Sequence, residues 1–244
     1  MPHPSPRLLA RLGALALVAA LSGVALSPLA AVAESKPAHS HDHAHDHAKD
    51  PAAAKIYAGH FDDDQIKART LADWAGEWQS VHPLLADGTL DPGMADKAAH
   101  GDKTAEGYKA YYGTGYKTDV DRIEIAGDTV AFISGDTVAR GTYAADGHEI
   151  LTYAKGNRGV RYSFRKTGGD AAAPGFIQFS DHRIAPEAAD HFHLYWGDDR
   201  ATVLAELTNW PTYYPAAMTP AEIVAAAQEQ EAHVVGLSIL SGSH

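Results

Sequence analysis

Val120-Asp-Arg-Ile-Glu-Ile125 and Thr129-Val-Ala-Phe-Ile133, joined across Gly127-Asp128, decide the fold class of this chain. Apolar residues alternate in both runs, the period of a strand with one buried face, and Gly-Asp between them is a tight-turn signal. The pattern repeats downstream. Ile150–Ala154 and Val160–Arg165 flank Lys155-Gly-Asn-Arg-Gly159, a second hairpin signal, and Phe176–His182 and His191–Trp196 form a third pair. Residues 119–196 therefore read as a meander of antiparallel strands. The flanks read as helix. In residues 60–118, Asp62-Asp63-Asp64 offers N-caps for a short helix ending near Arg69, and Asp91-Pro92 opens another. Thr104-Ala105-Glu106 opens a third, through Tyr108, Tyr111 and Tyr112, to a stop at Gly113 or Gly115. Residues 201–207 and 219–232 are helical again, the second starting at Thr219-Pro220 with Glu222 three residues after its cap. The expectation is an α+β, mainly β protein: a small antiparallel barrel with helices packed outside it.

The rest of the chain divides by composition. Of its 244 residues 45% are hydrophobic and 21% charged, enough to bury a full core. The formal net charge of -11 argues against a nucleic-acid or anionic-membrane partner, which would need a basic face. With no cysteine, thiolate metal sites, disulfides and thiol catalysis are excluded. Residues 1–33 combine Arg7 and Arg11, the apolar run Leu12–Leu26 and Ala31-Val32-Ala33. Those are the three parts of a cleaved secretory signal peptide; a membrane anchor is the alternative, opposed by Gly13, Ser22, Gly23 and Pro28. The expected product is exported and, in a Gram-negative cell, periplasmic, with no membrane contact after cleavage. Residues 34–54 have nothing to bury and read as disordered. They carry His39, His41, His43, His45 and His47, each two apart, with Asp42 and Asp46 between. Such a run offers many weak ligand sets for zinc, copper or nickel, none pre-organised; a solvated linker or a tag is the alternative.

Fifteen histidines are unevenly spread, and three mark a site. His191 and His193 are two apart, so on a strand both point to one face. His182 ends the preceding strand, and an antiparallel return brings it beside His191. Three imidazoles from two rigid elements leave a fourth position on zinc(II) for water, a carboxylate or another protein's ligand. Asp181 and Asp190 are candidates to orient the imidazoles, although on a regular strand they face the other way. Protons compete with metal for these nitrogens, with loss of affinity expected below about pH 6.5, the ordinary imidazole value.

Phe179-Ser-Asp-His182, His191-Phe-His193 and Asn209-Trp-Pro-Thr-Tyr-Tyr-Pro215 resemble the ZinT (YodA-type) periplasmic zinc-binding family. So do Phe61-Asp-Asp63, Arg69-Thr-Leu71, Trp78-Gln-Ser-Val81, Leu90-Asp-Pro92, Gly115-Tyr116, Ile150-Leu-Thr-Tyr153 and Gly159-Val-Arg-Tyr162, in collinear order over residues 54–233. Gly76-Glu-Trp78 matches the Gly-x-Trp that opens lipocalin-type barrels. The resemblance implies a lipocalin-like (calycin) barrel over residues 55–233. It implies that His182, His191 and His193 bind zinc, or cadmium as a surrogate. It also implies delivery of zinc to the solute-binding protein of a zinc importer. Some relatives carry a disulfide that this chain cannot form. Residues 234–244 have no assigned role.

A non-catalytic zinc binder is the reading these residues favour. A zinc-dependent hydrolase is disfavoured because there is no His-Glu-x-x-His helix and no carboxylate placed as general base. A lipocalin-like carrier of an apolar ligand with a structural metal is the third reading.

Overall fold

In the computed structural model, residues 51–153 and 155–229 are described. The signal peptide, the five histidines of residues 39–47 and the tail 234–244 lie outside them. Eight antiparallel strands close a barrel in which each pairs with the next and the last returns to the first. They are β1 (Gly76–Ser80), β2 (Arg122–Ala126), β3 (Thr129–Ser134), β4 (Thr137–Thr152), β5 (Arg158–Gly169), β6 (Phe176–Ser180), β7 (Phe192–Gly197) and β8 (Thr212–Pro215). The helices are α1 (Pro51–Tyr57), α2 (His82–Ala86), α3 (Asp91–His100), α4 (Ala105–Gly115) and α5 (Arg200–Ala205), and residues 220–229 form α6.

The expected meander is present, with Gly127 at φ 60° in the β2–β3 turn, a backbone state that suits glycine. Two expectations are corrected, and one strand was not foreseen. The helix from Asp62 toward Arg69 is a single 3-10 turn, Asp63–Gln65. It stops because the Lys67 N–H leaves to donate to the Ile184 carbonyl at 2.8 Å. Residues 60–118, expected to be mostly helical, also contain a barrel strand, since β1 lies among them and pairs with both β2 and β8. And β8 itself had no strand signal, being four residues long, preceded by Pro211 and ending in Pro215. The boundary drawn after residue 54 falls inside α1, whose first residue is Pro51, where a missing N–H costs nothing. Helix starts were more legible. The Thr104 side chain caps α4 by accepting from the Gly107 N–H, and Thr219 and Glu222 form the reciprocal cap of α6.

Strand alternation sorts the apolar residues into two clusters. Trp78, Ile123, Phe132, Tyr162, Phe164, Phe179, Phe192, Leu194 and Tyr213 point inward, around Trp74. Trp74 stacks on Phe179 at 4.6 Å between centroids, and Trp78 meets Phe192 edge-on at 4.7 Å. The interior is thus filled by its own side chains, like a core and unlike a carrier's calyx. The second cluster lies outside the wall: Val81, Leu85, Leu90, Met94 and Ile223 of the helical part pack with Tyr214 of β8.

Candidate metal site

Phe192 and Leu194 are fully buried in the barrel core, so period-two alternation turns His191 and His193 to the outer face, under the helices. The β6–β7 register pairs Ser180 with His193. Continued two residues, that register would set His182 opposite His191. The strand ends first, and His182 takes φ 63°, a left-handed state uncommon for a residue with a side chain. That turn directs its ring onto the same outer face. The three ring centroids form a triangle 5.8 Å on each side. One nitrogen from each ring lies within 4.8 Å of the others. Ligands on tetrahedral zinc sit roughly 3.4 Å apart at bond lengths of about 2.0–2.1 Å. Small side-chain rotations close the difference, so the donor set fits a zinc ion.

Each ring is held from behind. Thr212 Oγ1 donates its single hydrogen to the Trp210 carbonyl at 2.9 Å. Toward His193 it therefore accepts, at 2.8 Å from Nδ1, which places the ring proton on Nδ1 and leaves Nε2 as the bare donor. His182 stacks on Tyr57 at 4.6 Å and hydrogen-bonds the Tyr57 backbone, and His191 stacks on Tyr214 at 5.2 Å. Outer groups of this kind fix ring orientation and tautomer.

Asp181 and Asp190 anchor the loop that runs between His182 and His191. Asp181 is buried, accepting from Arg69 Nη1 at 2.6 Å and from Trp74 Nε1 at 3.0 Å. Arg69 Nη2 also donates to the Glu187 carbonyl at 2.8 Å. Arg183 pairs with both Glu187 and Asp190. Arg69 thus ties the barrel entrance to the 181–190 loop, with His182 near one end and His191 just beyond the other. Sequence spacing carried no signal for this clamp, because Arg69 lies 112 positions from Asp181.

The site is electrostatically set for neutral imidazole. Burial pushes His191 well below the ordinary histidine value and His193 down to about 3, with the neighbouring rings adding to the shift. His182 is exposed by surface area, yet the groups packed around its ring lower it too, with Asp181 pulling the other way. Onset of proton competition near 6.5 is therefore corrected to lower pH. The cavity has a volume of about 290 Å³. The three histidines and Thr212 form one wall; α3, α4 and α6 supply the others through Met94, Tyr112 and Ile223. Among the described residues no Asp or Glu lines it.

The sequence profile of the ZinT (YodA) periplasmic lipocalin-like zinc-recruitment family matches residues 52–231. The chain belongs to that family. Over 180 residues it is 54% identical to the probable metal-binding protein YrpE of Bacillus subtilis, covering 73% of this chain and 70% of that one. It is 50% identical over 183 residues to the zinc-binding protein AdcA of Streptococcus pyogenes. There it matches 73% of this chain but only 35% of AdcA, so this ZinT chain spans about a third of that relative's length. The Zn(II)-bound ZinT-like domain of Streptococcus pneumoniae AdcA superposes with a TM-score of 0.69 at 46% identity, over 71% of this chain and 97% of that domain. The barrel is the lipocalin-like fold expected from the sequence. Among the described helices none is long and apolar enough to cross a membrane.

Proposed function

We propose that this ZinT chain is an exported zinc collector. It holds one zinc ion through His182, His191 and His193 and yields it to the solute-binding component of a zinc importer. The observation that carries this reading is the triangle of neutral, backed imidazoles on the outer wall, open to a cavity. Neutral imidazole suits zinc first, and cadmium, nickel or copper by the same nitrogen chemistry. Export rests on the signal-peptide pattern of residues 1–33, and a periplasmic location on the family's description. The histidines of residues 39–47 would collect the ion when it is scarce. A role as a hydrolase is opposed by the lack of a carboxylate on the described cavity wall, since a metal-bound water would lack a general base there. A carrier role is opposed by the aromatic filling of the barrel.

The test is zinc titration against a competing chelator, followed in parallel by circular dichroism. One tight equivalent per chain, surrendered to a stronger chelator while the barrel stays folded, is the expected result. Unfolding on metal removal would mark a structural zinc instead. Absence of a tight equivalent would end the proposal. Deleting residues 39–47 leaves the tight equivalent and removes only weaker ones.

A further inference from the structure

The cavity that opens onto the three histidines is larger and more apolar than a water-filled coordination site needs. Zinc bound by three neutral imidazoles keeps its full 2+ charge and one open position. The three histidines line a cavity whose described lining holds no carboxylate, and Lys97, seated 4.7 Å from the Tyr112 ring centre, adds positive charge to the wall. In an apolar surrounding such charge calls for an anion. The walls call for more than an inorganic one. Tyr111 and Tyr112 project from α4 and Tyr116 from just past its end, with Met94 on α3 and Ile223 on α6, so an aromatic or aliphatic body finds ring faces and methyls on several sides. At about 290 Å³ the space lies at the small end of the roughly 300–1,000 Å³ typical of small-molecule sites. That is room for a single-ring molecule.

We propose that the loaded site takes a small organic carboxylate as the fourth zinc ligand, its apolar body seated among the α4 tyrosines. The chain then collects zinc as a mixed complex with a carboxylate-bearing metabolite, and not only as the hydrated ion. The inference rests on the three-histidine reading, and its test separates the two.

The full chain is first titrated with zinc alone; no tight equivalent at this step overturns the three-histidine reading, and this inference with it. Acetate and benzoate are then titrated calorimetrically into zinc-loaded and metal-free protein. The expected result is benzoate binding at least about tenfold tighter than acetate, and only when zinc is present. Ala227 lines the cavity from α6 and offers no ligand atom for a metal. Ala227→Phe fills that space and brings benzoate down to the level of acetate, with zinc affinity unchanged. Equal affinities, benzoate binding without zinc, or no effect of Ala227→Phe overturns the inference alone. So does failure of both carboxylates to bind the loaded chain, which would mean that a segment of the chain already holds the fourth position.

Discussion

The two faces of β7 are built from neighbouring residues and have opposite characters. Inward, Phe192 and Leu194 join Trp74, Trp78, Phe179 and Tyr213 in a dry aromatic core. Outward, His193 and, immediately before the strand, His191 meet a cavity and a third imidazole. The comparison teaches that the rigidity of one face sets the geometry of the other. A strand whose inner side chains are locked by close packing presents its outer side chains at a fixed spacing and direction. The aromatic barrel interior of this ZinT chain is thus the support of the three-histidine cluster.

The largest effect comes from breaking the outer face. Replacing His182, His191 and His193 together with Ala abolishes the tight zinc equivalent while the barrel remains folded, because no removed side chain belongs to the inner core. Retention of the tight equivalent in that variant would move the site elsewhere. Breaking the inner face gives the converse result. Phe192→Ala opens a cavity at a fully buried position and costs about 3–5 kcal/mol of stability by urea unfolding. The surviving folded molecules still bind zinc, with affinity loosened as the strand relaxes. A Phe192→Ala protein as stable as the parent would contradict the assignment of this face to the core.

A smaller effect tests the backing of a single ring. Thr212→Val keeps the volume but cannot accept the Nδ1 hydrogen of His193. Loss of such an outer partner typically weakens metal binding by about 10–100-fold. Thr212→Ser restores the acceptor and with it the affinity. Nitrogen NMR of the His193 ring reads the tautomer directly: Nδ1–H in the parent and the Ser variant, a mixture in the Val variant. Weakening by Thr212→Val without a change in tautomer would reduce Thr212 to a packing role.

What was legible in the sequence divides along the same line. Alternation showed β2 and β3 as strands, and the two-residue spacing of His191 and His193 placed both rings on one face. Nothing in the pattern said which face. That depended on Phe192 and Leu194 joining a core that also takes in Trp74, a residue on a 3-10 turn far upstream. β8 was hidden because Pro211 and Pro215 bracket a run too short to show a period. The Arg69 clamp was hidden because buried ion pairs join residues that are distant in the chain. Thr212 lay inside the Asn209–Pro215 run that carried the family resemblance, yet its role appears only through the Trp210 carbonyl. That carbonyl is positioned in turn by the Trp210 N–H donating to Gly115, where an added Cβ would stand 2.3 Å from the indole ring.

The smallest effect is the dependence of stability on pH. In the unfolded chain the three histidines titrate near roughly 6.5. In the folded, metal-free protein burial lowers all three, His193 to about 3. Below 6.5 the unfolded state therefore binds more protons than the folded one, and stability falls as the pH falls. The loss begins near 6.5 and continues until the folded-state values are reached. For fully buried His191 alone the slope is at most about 1.4 kcal/mol per pH unit. Urea unfolding of metal-free protein at pH 7, 6, 5.5 and 5 measures it, above the range in which most carboxylates titrate. His191→Gln removes one neutral-buried imidazole and flattens the curve. An unchanged slope would mean that the ring is protonated in the fold. The same lowering keeps proton competition out of the weakly acid range. Zinc affinity of the proposed three-histidine site is expected to stay nearly flat through about pH 6.5, whereas any metal on the histidines of residues 39–47 is expected to leave there, at the ordinary imidazole value. The two histidine sets are then distinguished by one titration: weak equivalents leave first as the pH falls, and the tight one persists until the metal-free barrel has lost the stability that holds its rings neutral.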